Sequence, residues 1–264
     1  MRIFIETDLE GVAGVSTFYI QTSPDGKYYE QAKKLLTAEV NAAVEGMMEM
    51  GVEDMLISDG HGPGAISFED MHPAAKLIHG RPCAPKIMET VVAGRYDAAI
   101  IIGQHAMAGV QAGNMNHTQS SATVDYYRLN GRVIGEIAQS ALDLGVYGIP
   151  VIFLSGDDAA CREAEEFVPG IVTAAVKQGL ARNSTISVSR QESHRRIREG
   201  VKRAIKQHGE QPVKPLVWKG PYVMEIRYFH TDEADAACRR SGAERVDSQT
   251  VRLRSDSVAE IIYG

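Results

Sequence analysis

Short apolar runs rich in β-branched residues recur along the first two thirds of the chain. They predict buried strands, because a strand that is covered on both faces of a sheet is apolar throughout its length. The predicted strands lie at residues 2–7, 54–58, 97–102, 150–154 and 171–176. Asn130 and Gly131 stand between two extended segments within residues 123–134. This dipeptide is a strong signal for a hairpin with a type I′ turn.

Amphipathic segments separate these strands. Residues 28–50 carry apolar side chains at every third or fourth position, which predicts a helix with one buried face. Residues 136–144 predict another helix, ended by Gly145. A third is expected to be capped by Asp157 or the next aspartate and to run to about Phe167. The alternation predicts an α/β fold, with a mixed, mostly parallel sheet and helices on both of its faces.

The composition changes after about residue 185. Ser189 and Glu192 have the spacing of a capping box, which predicts a helix that runs to about Gln207. Its many arginine and lysine side chains suggest a nucleic-acid-binding stripe, but the apolar face beneath them favours a solvated surface helix. Two further strands are predicted at residues 222–228 and 249–254. We therefore expect two units, an α/β catalytic core over residues 1–185 and a smaller α+β lobe over residues 186–264.

Charge and cysteine content narrow the classes of function. The chain has 264 residues and a formal net charge of −6, so counterion release would not favour binding to nucleic acid. No apolar run approaches the roughly 18 residues of a membrane helix, and the first residues lack the apolar stretch of a signal peptide. Cys83, Cys161 and Cys238 are far apart, which argues against a cysteine-bound structural zinc and fits a reducing compartment. We expect a cytoplasmic protein without a nucleic-acid or membrane partner.

Acidic and imidazole side chains follow three successive predicted strands. Asp8 and Glu10 follow the first, His61 follows the second and His105 follows the third, each near glycine. In an open parallel sheet, ligands bind beyond the carboxyl ends of the strands, so these side chains are expected to lie together. Two adjacent carboxylates need a cation or a shared proton, and imidazole with carboxylate suits zinc and other first-row metals. The pattern predicts a metal site at this edge of the sheet.

Glu136, at the start of the helix after the predicted hairpin, is a candidate fifth ligand. Two divalent ions and three carboxylates leave one positive charge, which favours a bound hydroxide, the nucleophile of two-metal hydrolases. Asp8, the first acid after its strand, is the expected bridge between the ions. His117 lies in a polar loop soon after His105 and is a candidate for proton transfer or for stabilising an oxyanion.

Each of these residues has a structural explanation when it is taken alone. An aspartate after a strand caps a loop, a histidine can belong to a turn, and a glutamate is favoured in a first helical turn. Independent structural roles would not all fall at the carboxyl ends of strands. The combined pattern therefore favours a metal centre.

Seven short motifs occur in one order over the first two thirds of the chain. They are TDLEGVAG at 7–14, SDGH at 58–61, GQHA at 103–106, NHT at 116–118, NGRVIGE at 130–136, SGDD at 155–158 and TAAVK at 173–177. In this series the chain resembles the bacterial zinc-dependent D-aminopeptidases linked to dipeptide transport. It departs from that family at Gly60, where a serine often precedes the histidine, and we expect this change to alter loop flexibility and the pocket.

The resemblance implies a metallopeptidase with two zinc ions per subunit. In that scheme Asp8 bridges both ions, Glu10 and His105 complete one site, His61 and Glu136 complete the other, and His117 is the catalytic nucleophile or proton-transfer group. It also implies that N-terminal D-amino acids, typically D-Ala, are released from short peptides. It further implies a homo-oligomer, a decameric ring whose sites face a cavity.

Two alternatives stay open on the residues alone. The same two-metal centre would also suit hydrolysis of another amide or of a phosphoester. A non-catalytic α/β module that binds a metal or a small ligand would show stoichiometric metal and no hydrolysis. A panel of amide, peptide and phosphoester substrates separates these three hypotheses.

Overall fold

The computed structural model describes residues 1–80 and 87–264, so Cys83 lies outside the described residues. The strands are β1 Arg2–Thr7, β2 Asp54–Asp59, β3 Lys76–Ile78, β4 Ala98–Gln104, β5 Val124–Leu129, β6 Arg132–Ile134, β7 Val151–Asp157, β8 Val172–Ala181, β9 Ser184–Ser187, β10 Tyr222–Tyr228, β11 Glu244–Arg245 and β12 Thr250–Ser255. The helices are α1 Phe18–Gln21, α2 Tyr29–Glu49, α3 Ile87–Gly94, α4 Glu136–Val146, α5 Asp158–Phe167, α6 Arg190–Glu210 and α7 Thr231–Ala237. Two short 3-10 helices lie at Phe68–Asp70 and Val258–Glu260.

The larger sheet has seven strands in the order β3-β2-β1-β4-β7-β8-β9. Every neighbouring pair from β3 to β8 is parallel, and β9 runs antiparallel to β8. All residues of β4 and β7 are buried, as their continuous apolar sequences predict. The predicted fold class, a mixed and mostly parallel sheet, is confirmed.

Helices cover both faces of this sheet. Gly200 of α6 lies against the ring of Phe153, whereas Ala160 of α5 lies against Gly156. Because residues an odd number apart on a strand point to opposite faces, α6 and α5 pack on opposite sides of β7. Helix α6 also packs along α2, and α4 packs beside α5.

The smaller sheet has five antiparallel strands in the order β11-β12-β10-β5-β6. Its hairpin β5–β6 turns at Asn130 and Gly131, both with positive φ, as a type I′ turn requires. This sheet takes strands from both sides of residue 185, and α6 packs on the larger sheet. The two sheets therefore do not follow the boundary at residue 185. Division of the chain there into separate folding units stays a prediction.

One predicted helix end is wrong. Helix α4 continues through Gly145 to Val146, and Gly148 follows with a positive φ. Gly145 is instead a point of close packing, because a Cβ there would lie 1.9 Å from the carbonyl oxygen of Leu216. The other predicted caps are present: Asp157 accepts from the backbone N–H of Ala160, and Ser189 accepts from that of Glu192.

Helix α6 is a surface helix with one buried apolar face, as the sequence predicts. Ile197 and Val201 are buried beneath it. Its basic side chains pair with carboxylates: Arg196 with Glu192, and Lys202 with Glu49. Among the helices of residues 1–80 and 87–264, none combines the length and apolarity needed to cross a bilayer.

Candidate metal centre

The five predicted ligands converge at the carboxyl edge of the larger sheet. Asp8 and Glu10 follow β1, His61 follows β2, His105 follows β4, and Glu136 is the first residue of α4. Asp8, Glu10, His61 and His105 are all at most 7% exposed. Strands β2, β1 and β4 are adjacent and parallel, which is why residues so distant in sequence meet here.

His61 faces the carboxylates through Nδ1. This atom lies 3.3 Å from Asp8 Oδ1 and 3.0 Å from Glu10 Oε2. The other ring nitrogen, Nε2, lies 2.9 Å from the carbonyl oxygen of Thr22. Because that carbonyl only accepts, Nε2 donates to it, and Nδ1 is the atom available as a ligand.

His105 faces the carboxylates through its other nitrogen. Nε2 lies 3.1 Å from Asp8 Oδ2 and 3.6 Å from Glu136 Oε2. Nδ1 lies 2.9 Å from the carbonyl oxygen of Ala106, to which it donates. The backbone carbonyl thus sets the ring orientation, as carbonyls commonly do for metal-binding histidines.

Two of the ligand atoms lie close to other ligands without being aligned for a hydrogen bond. Glu10 Oε2 and His105 Nε2 are buried and have no hydrogen-bond partner among the described residues, despite neighbours at 3.0 and 3.1 Å. Two ligands 2.0–2.1 Å from a tetrahedral zinc ion would lie about 3.3 Å apart. The arrangement therefore fits donors that converge on a common ion.

The contacts among these side chains group the ligands differently from the two-zinc scheme that the family resemblance implies. One group of possible ligands within 4.8 Å of one another is Asp8, Glu10 and His105, which agrees with the expected pairing of Glu10 and His105. His61, however, lies beside Glu10 rather than Glu136. Asp8 contacts both histidines, as a bridging carboxylate would. Assignment of each ligand to an ion stays a proposal.

The pKa values of the clustered side chains show that the site favours positive charge. Burial alone would lower the pKa of His61, but Glu10 and Asp8 raise it to about 11. For His105, burial is likewise outweighed by Glu136 and Asp8, which raise its pKa well above the ordinary value. Burial of Asp8 is in turn outweighed by His105 and His61, which hold its pKa well below the usual range. A divalent ion would satisfy the same carboxylates in place of those protons.

His117 lies against the cluster on its open side. Its ring is stacked on that of His105, with centroids 3.9 Å apart, and its Nε2 is 3.9 Å from Glu136 Oε1. Nδ1 lies 3.0 Å from the carbonyl oxygen of Met115 and donates to it. Burial and the charge of His105 lower the pKa of His117, so its Nε2 is unprotonated at neutral pH. His105, His117 and Glu136 also form a second group of possible ligands.

Sequence reasoning missed Lys177, which is buried beneath the ligands. Its Nζ donates to the carbonyl oxygens of Glu10 and Val15 and to Asn114 Oδ1. Asp157 accepts from the backbone N–H of Asn114, at the start of the loop that carries His117. The lysine thus joins the Glu10 loop to the His117 loop. A lysine within the otherwise apolar segment TAAVK was the available signal.

Two further strand-end residues shape the loop that carries His61. Asp59 accepts from the backbone N–H groups of Ala65 and Ile66. Gly60 lies so close to β1 that an added Cβ would be 2.5 Å from the carbonyl oxygen of Thr7. The glycine therefore permits close approach of its loop to the end of β1, whereas a change in loop flexibility was expected from the sequence.

Two cavities open from the cluster. One, of about 550 Å³, is lined by His61, His117 and the exposed ring of Tyr19. The other, of about 590 Å³, starts at Asp8 and Glu136 and runs along β1 and α4. Both volumes are large enough to admit a short peptide segment.

Comparisons with known proteins agree with this geometry. A family model described as D-aminopeptidase matches residues 1–263. The D-aminopeptidase of Bacillus subtilis (strain 168) is 29% identical over 264 residues, which cover 98% of this chain and 93% of that protein. The solved structure of the zinc-dependent D-aminopeptidase DppA from Bacillus subtilis, described as a self-compartmentalizing protease, has a TM-score of 0.90 at 28% identity. The match covers all of this chain and 94% of that one.

Proposed function

The chain belongs to the D-aminopeptidase family, and we propose that it is a zinc-dependent aminopeptidase that removes N-terminal D-amino acids, typically D-Ala, from short peptides. The observation that carries this proposal is the convergence of metal-binding side chains at the sheet edge, where buried Glu10 Oε2 and His105 Nε2 have no hydrogen-bond partner among the described residues. The similarity to a zinc-dependent D-aminopeptidase supports the choice of metal and of substrate.

Two zinc ions per subunit suit the donor set. Three carboxylates and two imidazoles supply only nitrogen and oxygen ligands, which hydrolytic zinc sites use. The ligands we assign are Asp8, Glu10, His61, His105 and Glu136. Bound zinc would polarise the scissile carbonyl and lower the pKa of a bound water.

His117 is the proposed proton-transfer residue. Its Nδ1 donates to the carbonyl of Met115, which leaves Nε2, 3.9 Å from Glu136 Oε1, as the nitrogen available for proton transfer in a residue that lines the cavity. A lowered pKa keeps this nitrogen free to accept a proton at neutral pH, which a general base requires. Once protonated, the same nitrogen can donate to the leaving amine.

Hydrolysis of matched D and L peptides tests the function. Zinc-loaded protein should release D-Ala from D-Ala-Gly-Gly and release little L-Ala from L-Ala-Gly-Gly. A His117→Ala variant should abolish release, whereas a chelator should abolish it reversibly. Equal rates for the two stereoisomers would reject the stereochemical assignment. Turnover of a phosphoester without peptide hydrolysis would favour the other two-metal hydrolase, and bound zinc without any turnover would favour a binding module.

Different observations support the oligomeric state and the cellular location of the protein. We propose a homo-oligomer, a decameric ring with enclosed sites, on the similarity to a self-compartmentalizing protease. Light scattering coupled to size-exclusion chromatography tests this, and a monomer at micromolar concentration would reject it. A cytoplasmic location is supported by the free thiols of Cys161 and Cys238.

A further inference from the structure

An arginine without an acidic partner stands at the rim of the smaller cavity. The guanidinium carbon of Arg182 lies over the ring of Phe18, 4.7 Å from its centre, and Nη2 lies 3.5 Å from the carbonyl oxygen of Ser121. Phe18 and Ser121 both line the cavity that His117 lines. Within residues 1–80 and 87–264 no carboxylate pairs with Arg182, and residues 81–86 contain no Asp or Glu. This guanidinium is therefore available to an anionic ligand.

Backbone hydrogen bonds hold Arg182 in place relative to His117. Arg182 lies in the turn between β8 and β9, and its carbonyl oxygen accepts from the backbone N–H of Met115 at 2.7 Å and from Asn114 Nδ2 at 3.1 Å. Met115 and Asn114 belong to the loop that carries His117. Stacking on Phe18 uses the face of the guanidinium and leaves the N–H groups at its edge free for a planar acceptor. The turn and the aromatic ring thus present the guanidinium to the cavity.

Proton transfer by His117 determines which part of the substrate lies here. The leaving amine has to lie beside His117, because this imidazole is to donate the proton that the amine takes up. Of the two cavities, it is the smaller one that His117 lines, and the ring centre of Phe18 is 5.5 Å from that of His117. The portion of the peptide that leaves therefore extends toward Phe18. In a short peptide this portion ends in a free carboxylate, the group that a guanidinium binds through two parallel hydrogen bonds.

The distances suit a leaving portion of one or two residues. Separations of 5.5 Å and 4.7 Å, with Phe18 between, place the guanidinium carbon of Arg182 no more than about 10 Å from the His117 ring. A hydrogen bond to the amine at one end and an ion pair at the other each take up about 3 Å. Each residue of the leaving portion adds at most about 3.6 Å. The carboxylate of a dipeptide or of a tripeptide is thus within reach of Arg182.

We propose that Arg182 binds the C-terminal carboxylate of the peptide substrate and so selects short peptides with a free C-terminus. The inference rests on the proposed function, because it places the scissile bond at the ligand cluster and the leaving amine beside His117. A carboxylate in this cavity also faces Glu10 and Glu136, which line it. A guanidinium on the far side of the carboxylate offsets that repulsion.

Peptides that differ only at the C-terminus test the proposal. D-Ala-Gly and D-Ala-Gly-Gly are each compared with the corresponding C-terminal amide. For at least one length, kcat/KM should favour the free acid by roughly three- to tenfold, mainly through KM, because water weakens an ion pair at an exposed arginine even when it is bidentate. In Arg182→Met, which keeps an apolar stem on Phe18, the preference should fall to near one. Arg182→Lys should keep part of it, because lysine retains the charge but not the planar fork. Arg239→Met, at an exposed arginine just after α7, should keep all of it.

Calorimetry of Gly-Gly and its C-terminal amide with the zinc-loaded protein gives a readout without turnover. A preference for the free acid in either assay that Arg182→Met removes supports the carboxylate site. If no D-peptide is hydrolysed and calorimetry still shows this preference, only the proposed function fails. Circular dichroism shows whether each variant is folded, and Arg182→Gln is the second neutral variant if methionine disturbs the turn.

Three outcomes would overturn the inference. The first is equal treatment of acid and amide in both assays. The second is a preference that survives in Arg182→Met, because the carboxylate would then bind elsewhere, such as at the zinc ions. The third is a preference that Arg239→Met lowers as much as Arg182→Met does, because the effect would then come from net charge and not from a contact.

Discussion

The imidazole rings of His105 and His117 are stacked, with centroids 3.9 Å apart and planes inclined by 17°. Two stacked imidazolium ions would repel each other, so the rings are expected to hold different states. His105 lies among carboxylates that favour a proton or a metal, whereas the pKa of His117 is lowered. One ring is thus suited to bind a cation, and the other to remain a neutral base.

The stack leads to a prediction about His117→Ala. If His117 transfers protons, the variant should lose at least about a hundredfold in kcat, the lower range for general acid–base catalysis. It should keep the zinc content of the wild type. Metal analysis alongside peptide hydrolysis checks both points, with His61→Ala as the comparison expected to lose zinc and activity together. Loss of zinc from His117→Ala would instead make it a ligand in the group with His105 and Glu136.

Lys177→Met should weaken zinc binding at a site that the lysine does not touch. Its ammonium supports the carbonyls of Glu10 and Val15, and methionine would leave these buried acceptors unpaired, at about 1–3 kcal/mol each. We expect the zinc affinity to fall by about 10- to 100-fold, as for other residues that orient a ligand. Competition with a chelating dye measures this, with the exposed Lys206→Met as control. Destabilisation with unchanged zinc affinity would contradict the positioning role.

Glu163→Gln should change how stability depends on pH. Burial raises the pKa of Glu163 to about 8 from an ordinary value of 4.5, although it accepts a hydrogen bond from the backbone N–H of Met107. Between these values the folded protein holds a proton that the unfolded chain has released. Stability of the wild type therefore falls as pH rises through this window.

Glutamine keeps the acceptor and cannot ionise. The variant should match the wild type at pH 5 and exceed it by a few kcal/mol at pH 8.5, since one pKa unit corresponds to about 1.4 kcal/mol. Urea unfolding with a chelator present measures the difference and avoids the pH dependence of metal binding. A difference that is constant between pH 5 and 8.5 would show that Glu163 is ionised in the folded protein.

Gly11→Ala should damage the ligand loop through backbone packing. An added Cβ would lie 2.1 Å from the carbonyl oxygen of Gln104, so the loop with Glu10 must move away from β4. We expect a loss of about 1–3 kcal/mol in stability, together with weaker zinc binding. Gly209→Ala in α6 has open space and should be neutral or stabilising. Similar unfolding midpoints for the two variants would contradict this account.

The sequence by itself predicted the central strands and main helices of the larger sheet, and it proposed ligands that the fold brings to one edge of that sheet. Hydrophobic periodicity predicted β1 at its observed bounds and α2 to within a residue or so at each end, because local side-chain patterns determine which backbone buries its apolar face. The rule that parallel strands end at one edge then brought Asp8, His61 and His105 together before any contact was known.

Tertiary structure alone decided which atoms meet. That His61 uses Nδ1 beside Glu10 while His105 uses Nε2 beside Glu136 depends on the carbonyls of Thr22 and Ala106, which no sequence pattern places. Lys177 acquires its role only through burial against segments distant in the chain. The physical reason is that periodicity encodes local conformation, whereas side-chain charge, orientation and partnership depend on nonlocal packing and the desolvation that it imposes.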